Sequence, residues 1–188
     1  RSSKRMNPAP KEPTYDDLLI ENEDEMKWLL NCIHHMPRHT RRIDLLEVYT
    51  EPNSKLVDEV RKQGGQAVRF TRDDGDLSTH AGQVALLRKI FLLNPKHIWL
   101  APECRPWGPW SRFNQMRGIT AFNRVQEDRN QAQTHLRLCD LIFKIQISKG
   151  DHCHVENPGP SSIWNEKEFE RICRCTKPAF FDQCAFQL

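Results

Sequence analysis

The segment IDLLEVYTEPNSKLVDEVRKQGGQAVRF, residues 43–70, carries the pattern that decides the fold. It opens with an apolar run that predicts a buried strand. A polar turn follows, in which Asn53 or Ser54 can cap a helix. Gly64 and Gly65 end that helix, and a second apolar run follows them. The predicted elements are a strand over 43–50, a helix over about 55–63 and a strand over 66–71. Such a strand–helix–strand unit favours two parallel strands in one sheet.

The same alternation of apolar runs and helical patterns continues along the rest of the chain. The further predicted elements are a helix over about 78–93, a strand over 96–101, a long helical region, a strand over 152–157, a short helix over 165–175 and a strand over 178–183. Regular alternation of this kind predicts an α/β fold, a Rossmann-like and mainly parallel sheet with helices on both faces. Open sheets of this type bind ligands at the carboxyl ends of their strands.

Composition divides the chain into three parts. Residues 1–15 are polar and contain proline, which predicts a flexible linker. Residues 16–40 predict a short N-terminal helical appendage that Pro37 ends, because apolar residues recur there at helical spacing. These apolar residues are Met26, Leu29, Leu30 and Ile33. Residues 41–188 form the α/β domain, and its final apolar run, FFDQCAFQL, predicts a domain that is truncated at its C-terminal end.

Length and composition restrict the class of protein. A chain of 188 residues that is 38% hydrophobic and 28% charged suits one soluble domain. No apolar run reaches the roughly 18 residues that a bilayer span requires, so no membrane partner is expected. The formal net charge is only +3, so local clusters must attract any polyanion. Seven cysteines without a secreted-type spacing predict a reducing, intracellular compartment.

Unusual polar clusters follow each of the first four predicted strands. In chain order they are EVYTEPNS, TRDDGDL, APECRPWGPW and HVENPGPSS. Because the carboxyl ends of parallel strands meet at one edge of a sheet, we expect these clusters to lie together. Cys104 and Glu156 would then face each other across that edge. A thiol and a carboxylic acid in one cleft can act as nucleophile and general acid.

This order of motifs resembles the catalytic half of the DNA cytosine-5 methyltransferases. That family has a proline-cysteine loop after its fourth sheet strand, which Pro102-Glu103-Cys104 matches, and a Glu-Asn pair after the next strand, which Glu156-Asn157 matches. The turn Gly75-Asp76-Leu77 is similar to the turn that contacts the adenine of S-adenosylmethionine. The pattern is also similar to the methyltransferase-like domains of some retroelement polyproteins.

The resemblance implies a methyltransferase-type fold and an S-adenosylmethionine-dependent reaction on cytosine in nucleic acid, with DNA favoured over RNA and the nucleus over the cytoplasm. Cys104 would add to C6 of the base as a nucleophile, and Glu156 would act as the acid at N3. Arg105 would favour the thiolate form of the cysteine. The predicted cofactor-binding residues are Glu47, Asn53, Asp76 and Pro102. The predicted substrate-binding residues are Arg105, Trp107, Trp110, Arg112 and Asn157.

Departures from the family pattern motivate a second hypothesis. The loop after the first strand contains no glycine, although the family's loop is glycine-rich so that backbone can approach the cofactor. Glu103 stands beside the cysteine where the family has a second proline, and Ala185 and Gln187 stand where it has two arginines. The chain is therefore either an active enzyme or a catalytically inactive methyltransferase-fold module that binds nucleic acid or a protein partner.

Each candidate residue also has a structural interpretation. Cys104 can be an inert thiol, Glu156 can cap the turn that follows it, and Asp76 can cap the next helix. Glu47 is either a satisfied buried carboxylate or a ligand-facing one. Arginines interleaved with aromatic residues suit a nucleic-acid strand or form a solvated helix face. Those residues are Arg105, Trp107, Trp110, Arg112, Phe113, Arg117, Arg124 and Arg129.

A zinc-stabilised interaction domain is a third alternative. His152 and His154 lie two residues apart in a predicted strand, so their side chains share one face. Cysteines that could complete a site follow downstream at Cys173, Cys175 and Cys184. Their spacing matches common structural zinc sites poorly, so no metal ligand is assigned.

Overall fold

A computed structural model describes Asn31 and residues 42–180. Within them four strands form one all-parallel sheet in the order β2–β1–β3–β4. The strands are β1 (Leu45–Val48), β2 (Ala67–Phe70), β3 (His97–Leu100) and β4 (His152–Val155). The helices are α1 (Lys55–Lys62), α2 (His80–Leu93), α3 (Pro109–Gln115), α4 (Ile119–Ser148) and α5 (Lys167–Cys175), with a 3₁₀ turn over Ser162–Asn165. The fold is thus α/β and compatible with the predicted Rossmann-like architecture.

The strand–helix–strand unit of residues 43–70 forms as its sequence predicts. Ser54 caps α1, because its hydroxyl accepts a hydrogen bond from the backbone N–H of Leu56 at 3.4 Å. Gly64 follows α1 with φ of 83°, a left-handed conformation that glycine adopts without steric cost. At the end of β1, Tyr49 takes the left-handed conformation as well, with φ of 61°, and so turns the chain out of the sheet.

One face of the sheet carries the main core, and we call it the core face. Alternate residues of the strands, among them Leu46, Ile98 and Leu100, are fully buried there. The helices α2 and α4 cover this face, and Leu86 and Leu141 are examples of their fully buried side chains. Because both helices pack here, the core face extends across all four strands.

Among the described residues, helix α1 covers part of the opposite face of the sheet. Val57 of α1 packs on Leu45 and Ala67, so β1 and β2 are covered. On β3 and β4 the same face carries four aromatic side chains, of which two are partly buried and two are exposed. We call these residues, His97, Trp99, His152 and His154, the open half-face.

Two elements differ from the sequence prediction. The predicted long helical region forms one helix, α4, and the short helix α3 precedes it in a stretch that was not predicted to be helical; Gly118, with φ of 127°, separates the two. Pro178–Phe180, the described part of the predicted last strand, is not a strand, and the rest of that run lies outside the described residues. The predicted linker over 1–15 also lies outside them, as does the predicted appendage over 16–40 apart from Asn31, which is helical.

Candidate functional site

The strand order places a ligand crevice between the carboxyl ends of β1 and β3. The connection from β1 to β2 runs through α1 on one face of the sheet, and the connection from β3 to β4 runs through α3 and α4, of which α4 packs on the core face. Helices therefore leave β1 and β3 on opposite faces, which opens a crevice at this point in doubly wound sheets. The loops after the strands surround this crevice.

The loop after β3 presents Cys104 at the surface. The backbone N–H groups of Trp107 and Gly108 both donate to the carbonyl oxygen of Cys104, at 3.0 and 2.8 Å. This turn leads directly into α3, whose first residue is Pro109. The loop is thus fixed by its backbone, while the residue that bears the thiol is exposed.

The loop after β4 lies against the loop after β3. The N–H of Glu156 donates to the carbonyl of Leu100 at 2.9 Å, so the ladder between the strands continues into the loops. The buried amide of Asn157 donates from Nδ2 to the carbonyl oxygen of Pro102 at 2.9 Å. The backbone segments that carry Cys104 and Glu156 are therefore joined at one rim of the sheet.

Burial raises the pKa of the Glu156 carboxyl above its usual range. Its side chain is half-buried at the end of β4, and the loss of water disfavours the charged form. A carboxyl with a raised pKa stays protonated to a higher pH, as a group that donates a proton to a ring nitrogen requires.

The predicted substrate-binding residues divide into exposed and buried side chains. Trp110 and Arg112 of α3 are exposed, with Trp110 78% accessible. Arg105 is exposed and its Nε lies 3.0 Å from Oε1 of Glu103, so part of its charge is balanced locally. The predicted stacking role of Trp107 is wrong, since its ring is only 1% exposed and belongs to the core.

Arg129, one of the arginines with two open interpretations, contacts the core and the loop after β3. Its guanidinium carbon lies 5.2 Å from the ring centre of Trp107, and its Nε donates to the carbonyl of Pro106 at 3.1 Å. This arginine of α4 therefore helps to fix the loop after β3.

The predicted cofactor-binding residues differ in burial and in hydrogen bonding. Glu47 is buried near the end of β1, where Oε1 accepts from the Ser54 hydroxyl at 2.6 Å, while Oε2 has no hydrogen-bond partner in the described part of the chain. Asn53 is exposed in the next turn. Pro102 is buried and contributes its carbonyl to the contact with Asn157.

Asp76 uses its carboxylate within its own turn. Its Oδ1 accepts hydrogen bonds from the N–H and the hydroxyl of Ser78, at 2.9 and 2.7 Å, and these bonds hold the pKa of Asp76 below its usual range. Thr79, not Asp76, caps α2. The turn itself is held close to the helix, since a Cβ on Gly82 would lie 2.0 Å from the carbonyl oxygen of Asp76.

His135 of α4 is a crevice residue that sequence reasoning missed. Burial lowers the pKa of this imidazole, while the nearby carboxylates of Asp76 and Glu103 act in the opposite direction. Its Nδ1 is buried and has no hydrogen-bond partner among the described residues, and its ring meets that of Tyr49 edge-on at 5.5 Å. The sequence signal was a histidine within an apolar helical pattern, and this pattern does not indicate toward which part of the fold the side chain points.

Exposed aromatic and basic residues are concentrated in the segment that follows Cys104, residues 105–124, which we call the elbow. Five large apolar residues recur there at every third position, and four exposed arginines lie among them. The apolar residues are Trp110, Phe113, Met116, Ile119 and Phe122, and the arginines are Arg105, Arg112, Arg117 and Arg124. The rings of Trp110 and Phe113 lie 5.8 Å apart. A monomer rarely exposes this much apolar side chain without a partner.

The zinc alternative receives no geometric support. Within residues 42–180 and Asn31, no group of three histidine, cysteine, aspartate or glutamate side chains is arranged to hold a metal ion. His152 and His154 belong to the sheet, whereas Cys173 lies on α5 with its thiol 3.7 Å from the carbonyl of Trp164. Cys184 lies outside the described residues.

No protein-family model, curated protein or solved structure was found to match this chain. None of the helices in the described part of the chain combines the length and the apolar character that crossing a bilayer demands. Function must therefore be argued from the geometry of the crevice and its rim.

Proposed function

We propose that this chain is an S-adenosylmethionine-dependent methyltransferase-like domain that acts on cytosine in nucleic acid. The hydrogen bond between Asn157 and Pro102 carries the proposal, because it joins the loop that presents Cys104 to the loop that presents Glu156. A thiol and a carboxyl with a raised pKa then lie on one rim, beside a crevice for a second ligand.

The crevice residues are compatible with the proposed cofactor. The unpaired Oε2 of Glu47 is a buried acceptor at the end of β1, and a ligand hydroxyl or amino group would satisfy it. Tyr49 ends β1 in the left-handed conformation, and its ring packs against the core. Glu47 and the turn at Asp76 would hold S-adenosylmethionine, which supplies a methyl group when bound.

The protein residues would activate the base in two ways. The Cys104 thiolate adds to C6, forming a carbon–sulfur bond and moving an electron pair toward N3. The protonated Glu156 carboxyl donates to N3 and neutralises the developing charge, so that C5 becomes an enamine-like nucleophile. A base must leave a duplex to reach both groups, and the exposed Trp110 offers a ring on which a neighbouring base can stack.

Covalent trapping on DNA tests the catalytic proposal. With S-adenosylmethionine present, a cytosine analogue fluorinated at C5 should form a denaturation-resistant adduct with the wild-type chain, because the fluorine cannot leave as a proton does. Cys104→Ser should abolish the adduct. Cys173→Ser changes another exposed cysteine and should leave the adduct yield unchanged.

Failure of this experiment has a defined meaning. A wild-type chain that forms no adduct under any substrate condition, or an adduct that survives Cys104→Ser, would remove the catalytic proposal. An oligonucleotide that binds without adduct formation would instead favour the inactive nucleic-acid-binding module.

The elbow supports that second candidate function. Its arginines can contact phosphates and its rings can stack on bases, as in proteins that bind single strands. Trp110→Ala should weaken binding of a fluorescent oligonucleotide by roughly tenfold, which corresponds to the loss of one stacked base. Leu92→Ala removes an equally exposed apolar side chain from α2 and should have no effect.

A further inference from the structure

Arg129 of α4 contacts both of the loops that carry the proposed nucleophile and acid. Its Nε donates to the carbonyl oxygen of Pro106 at 3.1 Å, and its Nη2 donates to the hydroxyl of Ser162 at 3.4 Å. Pro106 belongs to the loop after β3, and Ser162 opens the 3₁₀ turn that ends the loop after β4. One guanidinium therefore bridges the two loops.

Ser162 extends this bridge to the backbone of the loop after β3. Its N–H and its hydroxyl both donate to the carbonyl oxygen of Trp107, at 2.9 and 3.0 Å. The Trp107 ring is 1% exposed, and the guanidinium carbon of Arg129 lies 5.2 Å from its centre. These four residues, Pro106, Trp107, Arg129 and Ser162, form one connected set, which we call the Arg129 network.

The segment that carries Cys104 is held on both sides. Asn157 donates to the carbonyl oxygen of Pro102, two residues before Cys104, and Arg129 donates to that of Pro106, two residues after it. The carbonyl of Cys104 accepts hydrogen bonds within its own turn, and the residue is exposed. These contacts set where Cys104 lies relative to the loop after β4.

The position of Arg129 suits a guanidinium better than an ammonium group. The guanidinium donors point in different directions within one plane, so Nε and Nη2 can each reach a separate acceptor. An ammonium group on a flexible stem cannot reproduce both hydrogen bonds and the contact with the ring. The type of side chain therefore matters here as well as its positive charge.

We propose that Arg129 is a positioning residue, which locks the loop after β3 to the loop after β4 and so holds Cys104 at the distance from Glu156 that the reaction requires. This role rests on the proposed function, because it concerns the geometry of the thiol and the acid. Arg129 acts through Ser162 and the loop backbone. A shift of about 1 Å in a reacting group can lower a rate roughly a hundredfold.

Hydrogen exchange of the ligand-free chain tests whether Arg129 locks the loops. Arg129→Ala should raise amide exchange roughly tenfold in peptides that cover residues 102–108 and residues 156–163, because both loops lose a shared contact. Arg137→Ala removes another arginine of α4, one that lies 3.8 Å from Glu168, and should leave exchange in these peptides unchanged. An increase confined to one loop, or no increase at all, would overturn the proposal.

The kinetics of covalent trapping test the positioning itself. With saturating S-adenosylmethionine and fluorinated oligonucleotide, Arg129→Ala should lower the rate constant for adduct formation roughly a hundredfold, while the Kd of the oligonucleotide stays within about twofold of the wild type. Arg129→Lys keeps the charge and loses the paired hydrogen bonds, so it should lower the rate constant too. A purely structural role would change the folded fraction and leave the rate constant of the folded chain unchanged, and that result would overturn the proposal.

Ser162→Ala is a milder variant in case Arg129→Ala prevents folding. It removes the hydroxyl that links Arg129 to Trp107 and keeps the N–H contact, so exchange in both loops should rise and the rate constant should fall. Wild-type exchange together with a wild-type rate constant in Ser162→Ala would overturn the proposal. If the wild type forms no adduct, the proposed function fails, and hydrogen exchange alone then decides whether Arg129 joins the two loops.

Discussion

The Glu156 carboxyl shows how position at a strand end creates reactivity. Its backbone completes the ladder between β3 and β4, and this fixes the side chain where it is half-buried. Burial raises the pKa of this carboxyl, so the folded state holds its proton more tightly than the unfolded state does. A raised carboxyl pKa contributes stability that is fully present below the ordinary value of 4.5 and is lost as the pH rises through the folded value.

Glu156→Gln should therefore change the pH dependence of stability in one direction. Relative to the wild type, the variant should gain free energy of unfolding between about pH 4.5 and about pH 8, because glutamine has no proton to lose. Urea unfolding at both pH values measures this difference. Glu51→Gln changes an exposed glutamate after β1 and is the matched control. If the free energies of unfolding of the wild type and of Glu156→Gln differ by the same amount at both pH values, the prediction is contradicted.

The turn between β2 and α2 depends on close packing of backbone against backbone. Gly75 and Gly82 approach so closely that a Cβ on Gly75 would lie 3.1 Å from Cα of Gly82. A Cβ on Gly82 would lie 2.0 Å from the carbonyl oxygen of Asp76, closer than any real contact allows. The first turn of α2 therefore sets the position of Asp76 at the crevice.

Gly82→Ala should destabilise the protein, because the helix or the turn must move to accommodate the methyl group. Overpacking of this kind costs about 2 kcal/mol, which outweighs the gain in helix propensity of about 1 kcal/mol. Gly108→Ala is the matched control, since the nearest atom to its added Cβ lies at 3.4 Å. Thermal unfolding of both variants measures the effect. Equal midpoints for Gly82→Ala and the wild type would show that the turn is not held by this contact.

Local signals predicted the elements better than the directions of their side chains. The helix cap at Ser54 and the end of α1 at Gly64 follow from residue type and neighbouring sequence, so they could be predicted. Trp107 in the loop after β3 and Trp110 in the first turn of α3 lie three residues apart, yet the first is 1% exposed and the second 78% exposed. The carbonyl of Trp107 accepts from the N–H of Ser162 at 2.9 Å, a contact 55 residues away that no local pattern reveals.

The candidate site could also be predicted only in part. The parallel alternation placed Cys104 and Glu156 on one rim, because strand ends meet at one edge in any sheet of this class. His135 could not be predicted, since it approaches Asp76 and Glu103 from the middle of α4. Its position depends on how that helix crosses the core face.

At the scale of the whole molecule, the two faces of the sheet respond differently to acid. The core face is apolar, whereas the other face contains histidines whose pKa values are lowered by burial first and by each other second. Around His97, the carboxylates of Asp44 and Asp151 favour the protonated form, while Lys96 and His152 oppose it. The net direction is downward, so the folded state binds these protons less readily than the unfolded state does.

The protein should consequently lose stability as the pH falls below about 6.5. A lowered histidine pKa contributes stability that is complete above the unfolded value of 6.5 and is lost as the pH falls through the folded value. The double variant His97→Gln and His154→Gln should lose less free energy of unfolding between about pH 7.5 and about pH 5.5 than the wild type does. Some slope should remain, because burial lowers the pKa of His135 too. Urea unfolding at both pH values measures the loss of free energy, with His80→Gln on α2 as the control. If the double variant loses as much free energy as the wild type does, the assignment of acid sensitivity to the open half-face is contradicted.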